Sequence, residues 1–231
     1  MQSQPIPIRQ SCFRKCGTKL SQSNSALTET IEIPDEVGVI ILKECVLFPQ
    51  AIMPLYIFEP RYRQMLSDTL SGDRLFAVGC LDESARTAAD DEPPYKVVCV
   101  GMIRACKKNE DGTSNLILQG LNRVRVIETL SRDPYRRIAV APLTTEIDMS
   151  AKAITEARRK TLQRIQSLQR LGAKIPAELI GFLSKVEPYE AMLDLSVYAL
   201  CNCADVKQQL LASRSLAERN TLFGDYLEAQ L

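Results

Sequence analysis

The chain contains no histidine. That absence removes the Ser–His and Cys–His couples, the histidine ligands of zinc sites and the usual pH switch. No Gly-Lys pair occurs in the 231 residues. A P-loop reads G-x-x-x-x-G-K-[ST], because its backbone amides cradle phosphates while the lysine reaches their oxygens, so that route to ATP hydrolysis is excluded. The G-x-S-x-G elbow of serine hydrolases is missing too. No apolar run approaches the ~18–20 residues of a membrane span. Residues 1–30 lack the apolar core of a secretory signal, and neither end carries a lipidation motif.

What is present is ordinary in composition and uneven in charge. Apolar residues make up 45% and charged residues 25%, typical of a globular protein of one large or two small domains. The net charge of +1 divides into +3 over residues 1–30, −4 over 31–149 and +2 over 150–231. The acidic middle argues against a nucleic-acid groove there, since phosphate binding needs clustered Lys and Arg. Eight cysteines without a secretory signal lead us to expect reduced thiols in the cytoplasm. Organellar import through the basic start is the alternative.

Periodicity divides the chain in three. Residues 1–30 are rich in Ser, Gln and Pro, and read as a disordered basic tail. Residues 31–149 read as strands with one short helix. Val37 to Leu42 is β-branched, and the segment after Phe48 is held extended by Pro54 and Pro60. A helix starts at Pro60 and runs to about Leu70, with Tyr62, Met65 and Leu66 on one face. Leu75 to Cys80 is a buried strand. Val97 to Lys107 and Leu116 to Leu130 form a hairpin over Asn109-Glu110-Asp111-Gly112, and Arg136 to Leu143 closes the set. From residue 150 the period becomes 3.6. Ile154, Ala157, Thr161, Ile165 and Leu168 share one face of a helix over 151–171. Further helices start near Pro176, Pro188 and Asp205, the last broken near Ser213 to Ser215. The fold class is α+β: a small coiled β-barrel followed by a helical bundle.

Two stretches carry a family resemblance. The first is CVLFPQAIMPLYIFEPRYR, with Leu47-Phe48-Pro49, then Pro54-Leu55-Tyr56-Ile57-Phe58, then Arg61-Tyr62. The second is DGTSNLILQGLNRVRVIE, with Asp111-Gly112-Thr113, then Gly120 through Arg123 to Val126. In this order they resemble the substrate-binding amino-terminal domain of Lon-type ATP-dependent proteases, the LON domain. The match runs from about residue 35 to the C-terminus and is specific in its first half, loose in its helical half. The resemblance implies a PUA-like barrel and a module that binds unfolded or degradation-prone polypeptide. It also implies a protease or chaperone as the working partner. The family's Ser–Lys proteolytic domain has no counterpart in these residues.

The candidate peptide-binding residues are Phe48, Tyr56, Phe58, Glu59, Arg61 and Tyr62. Strand alternation gives Tyr56 and Phe58 one face and Leu55 and Ile57 the other, and either pair can fill the core. The competing reading is an RNA-binding PUA-like module using the basic helix over 151–174, with Lys152, Arg159 and Arg170 on one stripe; such a stripe is more often simply the solvated face of an amphipathic helix. Asp90-Asp91-Glu92 with Glu83 form an acidic loop that reads as solvated rather than as a cation cage. Cys12-x3-Cys16 fits a zinc knuckle, but Cys201-x-Cys203 is too tight and falls on an expected helix. We therefore expect no metal, no cofactor, no membrane partner and no catalysis. The purified chain should turn over no ATP and leave casein uncut; phosphate release or casein fragments that persist after removal of contaminating protease refute this.

Overall fold

The computed structural model describes residues 31–88 and 91–231. The expected tail, Cys12, Cys16 and Asp90 lie outside the described residues. Ile33–Leu231 forms one compact unit. Among the described residues it contains six strands and six α-helices, and no helix is long and apolar enough to cross a membrane.

Strands β1 (Glu36–Leu42) and β3 (Leu75–Cys80) run parallel, with Val39 opposite Ala77. Every residue of β3 is buried, as a strand covered on both faces requires. Between them lie β2 (Ile52–Ile57) and α1 (Pro60–Ser71), whose buried face is Tyr62, Met65 and Leu66, as the spacing predicts. Strands β4 (Val97–Lys108) and β5 (Ser114–Ser131) form the long hairpin. Its turn is set by Gly112 at φ +80°, by the Asp111 carboxylate accepting from the Thr113 amide at 2.9 Å, and by Asn109 N–H donating to the Thr113 carbonyl at 2.8 Å. Strand β6 (Arg137–Pro142) pairs antiparallel with both β1 and β5. The pairings β5–β4–β3–β1–β6–β5 therefore close on themselves, and β2 hangs from β5 outside that ring.

Alternation along the ring strands separates two cores. Val37, Val39, Leu75, Ala77, Val98, Val100, Val124 and Ile138 pack together from all five ring strands. The opposite faces, including Ile40, Phe76, Val78 and Cys99, join a larger cluster with α1 and the C-terminal helices. One core thus runs across residue 150, where the element type changes.

The helices are α2 (Ala151–Arg170), α3 (Ala177–Leu183), α4 (Tyr189–Leu200), α5 (Ala204–Ala212) and α6 (Leu216–Glu228). Ala157, Thr161, Ile165 and Leu168 form the buried face of α2, with Ile154 half-buried at its start. Ser150 caps α2 by accepting from the Ala153 amide, and Ser215 caps α6 by accepting from the Glu218 amide. One local expectation fails. Cys201 and Cys203 flank the joint between α4 and α5 instead of lying within a helix, because α4 stops at Leu200.

The joint between ring and helices contains charge. Arg123 of β5 donates to the carbonyls of Leu211 at 3.1 Å and Ser213 at 2.6 Å, and to the hydroxyl of Thr145. Arg219 of α6 donates to Asp194 of α4 at 2.8 Å and to Glu190 at 3.1 Å. Arg219 and Asp194 are almost wholly buried. Burial pushes the Asp194 carboxyl up to about 6, with the charges of Arg219 and Arg123 pulling it back. Burial also lowers Arg123, and its like-charged neighbour Arg219 adds to that. Breaking such a pair strands a buried charge, whereas replacing both partners with apolar groups is tolerated. Asp194→Asn alone should cost about 3–5 kcal/mol in chemical denaturation, and the double change Asp194→Leu with Arg219→Met clearly less. A double variant as unstable as the sum of its singles contradicts this account.

Candidate functional site

Strand β2 is an edge. It pairs with β5 from Ile52 opposite Gln119 to Ile57 opposite Ser114, and ends the strand order. The Ile52 carbonyl accepts from the Tyr198 hydroxyl at 3.2 Å, so the Ile52 backbone points away from β5. Alternation turns the backbones of Pro54 and Tyr56 the same way. A proline is tolerated there because its missing N–H faces no partner strand.

Side chains on β2 divide by parity. Met53 and Ile57 are buried and Leu55 is half-buried, whereas Ile52, Tyr56 and Phe58 are 49%, 52% and 48% exposed. The Tyr56/Phe58 face is therefore the open one. The two rings stack at 5.9 Å between centroids and 25° between planes. Beside them runs a cleft of about 450 Å³ across the outer face of β2, β5 and β4. Its lining includes Pro54, Tyr56, Ile117, Ala105 and Lys107. A register shift between Ile103 and Ala105 sets the small Ala105 opposite Ile117, which lies opposite Pro54. The next row is Tyr56, Asn115 and Lys107. The floor is thus apolar and low, with an aromatic wall on one side and a cation on the other.

The remaining sequence candidates are placed elsewhere. Phe48 is fully buried, in the turn that packs onto Gly120, and leaves the contact surface. Tyr62 is 6% exposed, and its hydroxyl accepts from the Ile41 amide at 3.3 Å. Burial pushes that phenol up. Both aromatics are core because α1 and the Phe48 turn lie against the sheet. Glu59 and Arg61 are near the surface but occupied. Arg61 reaches Glu59 at 2.8 Å and the two carboxylate oxygens of Glu92 at 2.6 and 3.2 Å, with its guanidinium 4.6 Å from the Tyr62 ring. The Glu92 hydrogen bonds, then the charge of Tyr62 and the Glu59 contact, raise Arg61 above its ordinary value against the opposing cost of burial. This cluster fastens the start of α1 to the acidic loop. Two further loop carboxylates are taken too, Asp91 by Arg132 at 3.2 Å and Glu83 by Lys43 at 3.1 Å.

On α2, Lys152, Arg159 and Arg170 are exposed. Glu156 neutralises part of that face, pairing Arg159 at 2.5 Å and Lys160 at 3.6 Å. Arg158 turns to the carbonyls of Val186 and Ser184, and Arg164 to Glu228. The run of seven basic residues therefore presents few unpaired cations, and no observation favours RNA. The described thiols are free, and burial pushes those of Cys45, Cys80, Cys99 and Cys201 up, away from the reactive thiolate. Among the described residues no cluster of His, Cys, Asp or Glu is arranged to hold a metal ion.

Ile52, Ile117 and Lys107 belong to the surface and were not candidates from sequence. Parity with Tyr56 was enough to find Ile52. Ile117 and Lys107 needed the hairpin register, which the sequence leaves loose around the Arg104 bulge.

Comparison with known proteins agrees with this architecture. Lon protease of Dictyoglomus thermophilum is 27% identical over 208 residues, covering 89% of this chain and 26% of that protein. Lon protease 1 of Herpetosiphon aurantiacus is 25% identical over 211 residues, covering 90% and 26%. The chain thus spans about a quarter of the length of these relatives. The N-terminal domain of the Mycobacterium avium complex Lon protease superposes with a TM-score of 0.64 at 16% identity, covering 85% of this chain and all of that one. The Lon N-terminal domain protein of Xanthomonas campestris gives 0.55 at 18% identity over 84% of this chain and 97% of that one. The family model described as the ATP-dependent protease La (LON) substrate-binding domain matches residues 36–229, and the chain belongs to that family.

Proposed function

We propose that this chain is a non-catalytic module that binds unfolded or extended polypeptide through the outer face of β2, β5 and β4. The closed ring of strand pairings supports reading the sheet as the PUA-like barrel that the family resemblance implies, with the β2 arm as the proposed binding appendage. The observation that carries the reading is the open aromatic face: Tyr56 and Phe58 stacked and half-exposed on an edge strand, beside an apolar-lined cleft. Unfolded chains differ from folded ones chiefly in accessible apolar side chains and unpaired backbone, so a surface that selects them needs apolar area or an open strand edge. This one has both. Prolines at 54 and 60 limit the conformations of the segment, so its aromatics lose little freedom on binding.

Membership of a substrate-binding family supports protein substrates as the ligand class. A separate protease or chaperone in the cytoplasm is the partner we propose. The chain's contribution is capture, because no phosphate loop or nucleophile–base pair accompanies the surface.

Replacing Tyr56 and Phe58 together with Ser tests the site. Two half-exposed aromatics acting as contact anchors should weaken binding of reduced casein about tenfold or more. The melting midpoint should stay nearly unchanged, since neither ring fills the core. An intact fold with unchanged affinity removes this face from the site. A wild-type protein that binds no unfolded client refutes the function.

A further inference from the structure

Charge in the cleft has one sign. Residues 31–149 are acidic overall, yet the outer β4 rim of the cleft is cationic. Lys107 lines the cleft and is exposed, and its ammonium makes no ion pair or hydrogen bond among the described residues. Arg104, at the bulge beside it, spends its guanidinium on the Gln119 amide oxygen at 2.7 Å and the Met102 sulfur at 3.1 Å, so it has no carboxylate partner. Other cations on this half of the chain divide between paired ones, such as Lys43 with Glu83, Arg61 with Glu59 and Glu92, Arg132 with Asp91 and Arg137 with Glu36, and ones such as Arg74, Lys96 and Lys108 that form no salt bridge among the described residues; Lys107 differs from these in lining an apolar cleft. The cleft itself holds no carboxylate.

Register fixes the geometry. Tyr56 and Lys107 both stand opposite Asn115, on neighbouring strands to either side of it. Strands are about 4.8 Å apart, so the aromatic wall and the ammonium stem are separated by about 10 Å across the sheet. Between them, one row along, is the floor of Pro54, Ile117 and Ala105. An apolar side chain seated on that floor against Tyr56 leaves its neighbours in an extended chain directed toward the Lys107 side. Successive residues of an extended segment advance ~3.3 Å, so a carboxylate one or two positions from the apolar anchor falls within reach of the lysine.

Resting on the proposed peptide-binding role, we infer that this face selects extended segments in which an apolar or aromatic residue is flanked within two positions by Asp or Glu, with Lys107 reading the acid. The selectivity is modest in size, because Lys107 is exposed and its pair with a client carboxylate is solvated.

The test uses fluorescein-labelled 12-residue peptides in a Gly/Ser host. Each carries two Phe at alternate positions, with Asp, Asn or Lys two positions beyond the second. Reduced casein is titrated in parallel. The Asp peptide should bind about threefold more tightly than the Asn peptide, the size an exposed ion pair supplies, and the Lys peptide more weakly than either. The preference should shrink in high salt. Lys107→Gln should abolish the difference between the Asp and Asn peptides and leave the melting midpoint unchanged. Equal affinities for the Asp and Asn peptides alongside retained casein binding overturn the acid-reading role and spare the peptide-binding site. A preference that survives Lys107→Gln also overturns it. Loss of all binding, casein included, removes the peptide-binding role and the selectivity together. A concentration-dependent dimer that Tyr56→Ser dissociates overturns the inference in favour of a second copy of the chain as occupant.

Discussion

The close approach of the Phe48 turn to Gly120 is the contact on which the arrangement depends. A Cβ at position 120 would stand 2.0 Å from the Phe48 carbonyl oxygen, far inside any permitted contact, so only glycine fits. Around it the backbones interlock. Gln50 N–H donates to the Gly120 carbonyl at 2.8 Å, Gly120 N–H donates to the Ala51 carbonyl at 2.9 Å, and Gln50 takes φ 64° to make the turn. This junction is where β5 exchanges neighbours. Before Gly120 it pairs with β2, and from Val124 on it pairs with β6. A bulge at the facing Val100/Gly101 bends β4 at the same level. The glycine therefore divides one long strand into a ring half and an arm half.

That division explains why an apolar face stays open. Strand β3 and most of β1 and of the first half of β4 are covered on both sides, by the Val-rich interior and by the helical layer, whereas the far end of β5 leaves Ile127 and Leu130 exposed. The arm is covered on one side only, by α1 and the buried row Met53, Ile57, Leu116 and Leu118. Its other side carries Ile52, Tyr56 and Phe58 to solvent. An exposed edge of this kind invites pairing with any extended chain, and proteins usually blunt it. Here Pro54 removes one donor and Tyr198 occupies the Ile52 carbonyl, which shortens the usable edge without closing it. The arm is left with room for a short extended segment, as the proposed function requires, and is a poor template for a growing sheet.

Much of the fold was legible in the sequence, and the reasons differ between its halves. In the strands, β-branched runs and turn chemistry placed β3, the hairpin and the Asp111-Gly112 turn, because those signals are local. Helix α2 was readable because Ala157, Thr161, Ile165 and Leu168 recur at the helical period. The order of the strands was not readable. That β6 bridges β1 and β5 is a non-local pairing with no local mark. The site was half legible. Parity showed that Tyr56 and Phe58 share a face, but only tertiary packing decided that this face is open. Phe48 and Tyr62 look like contacts in a linear reading, being close to the exposed pair. One is aimed inward by the Gly120 junction and the other by the helical period of α1.

The same logic separates the charged residues that hold the fold from those free to meet a ligand. Arg123 and Arg219 are buried and committed to the joint between ring and helices, where Arg123 ties β5 to the α5–α6 link. Arg61 is committed to Glu59 and Glu92. Each of these arginines uses its planar fork to satisfy several acceptors at once, which a lysine cannot reproduce. The cation at the open cleft is a lysine instead, with a flexible stem and no partner in the fold. On the proposed peptide-binding role, a residue that meets clients of varied sequence gains from that freedom, whereas a residue that fixes a joint gains from rigidity. At these positions the arginines that fix the joint sit in the scaffold, and the lysine of the cleft sits on the surface that Gly120 sets apart.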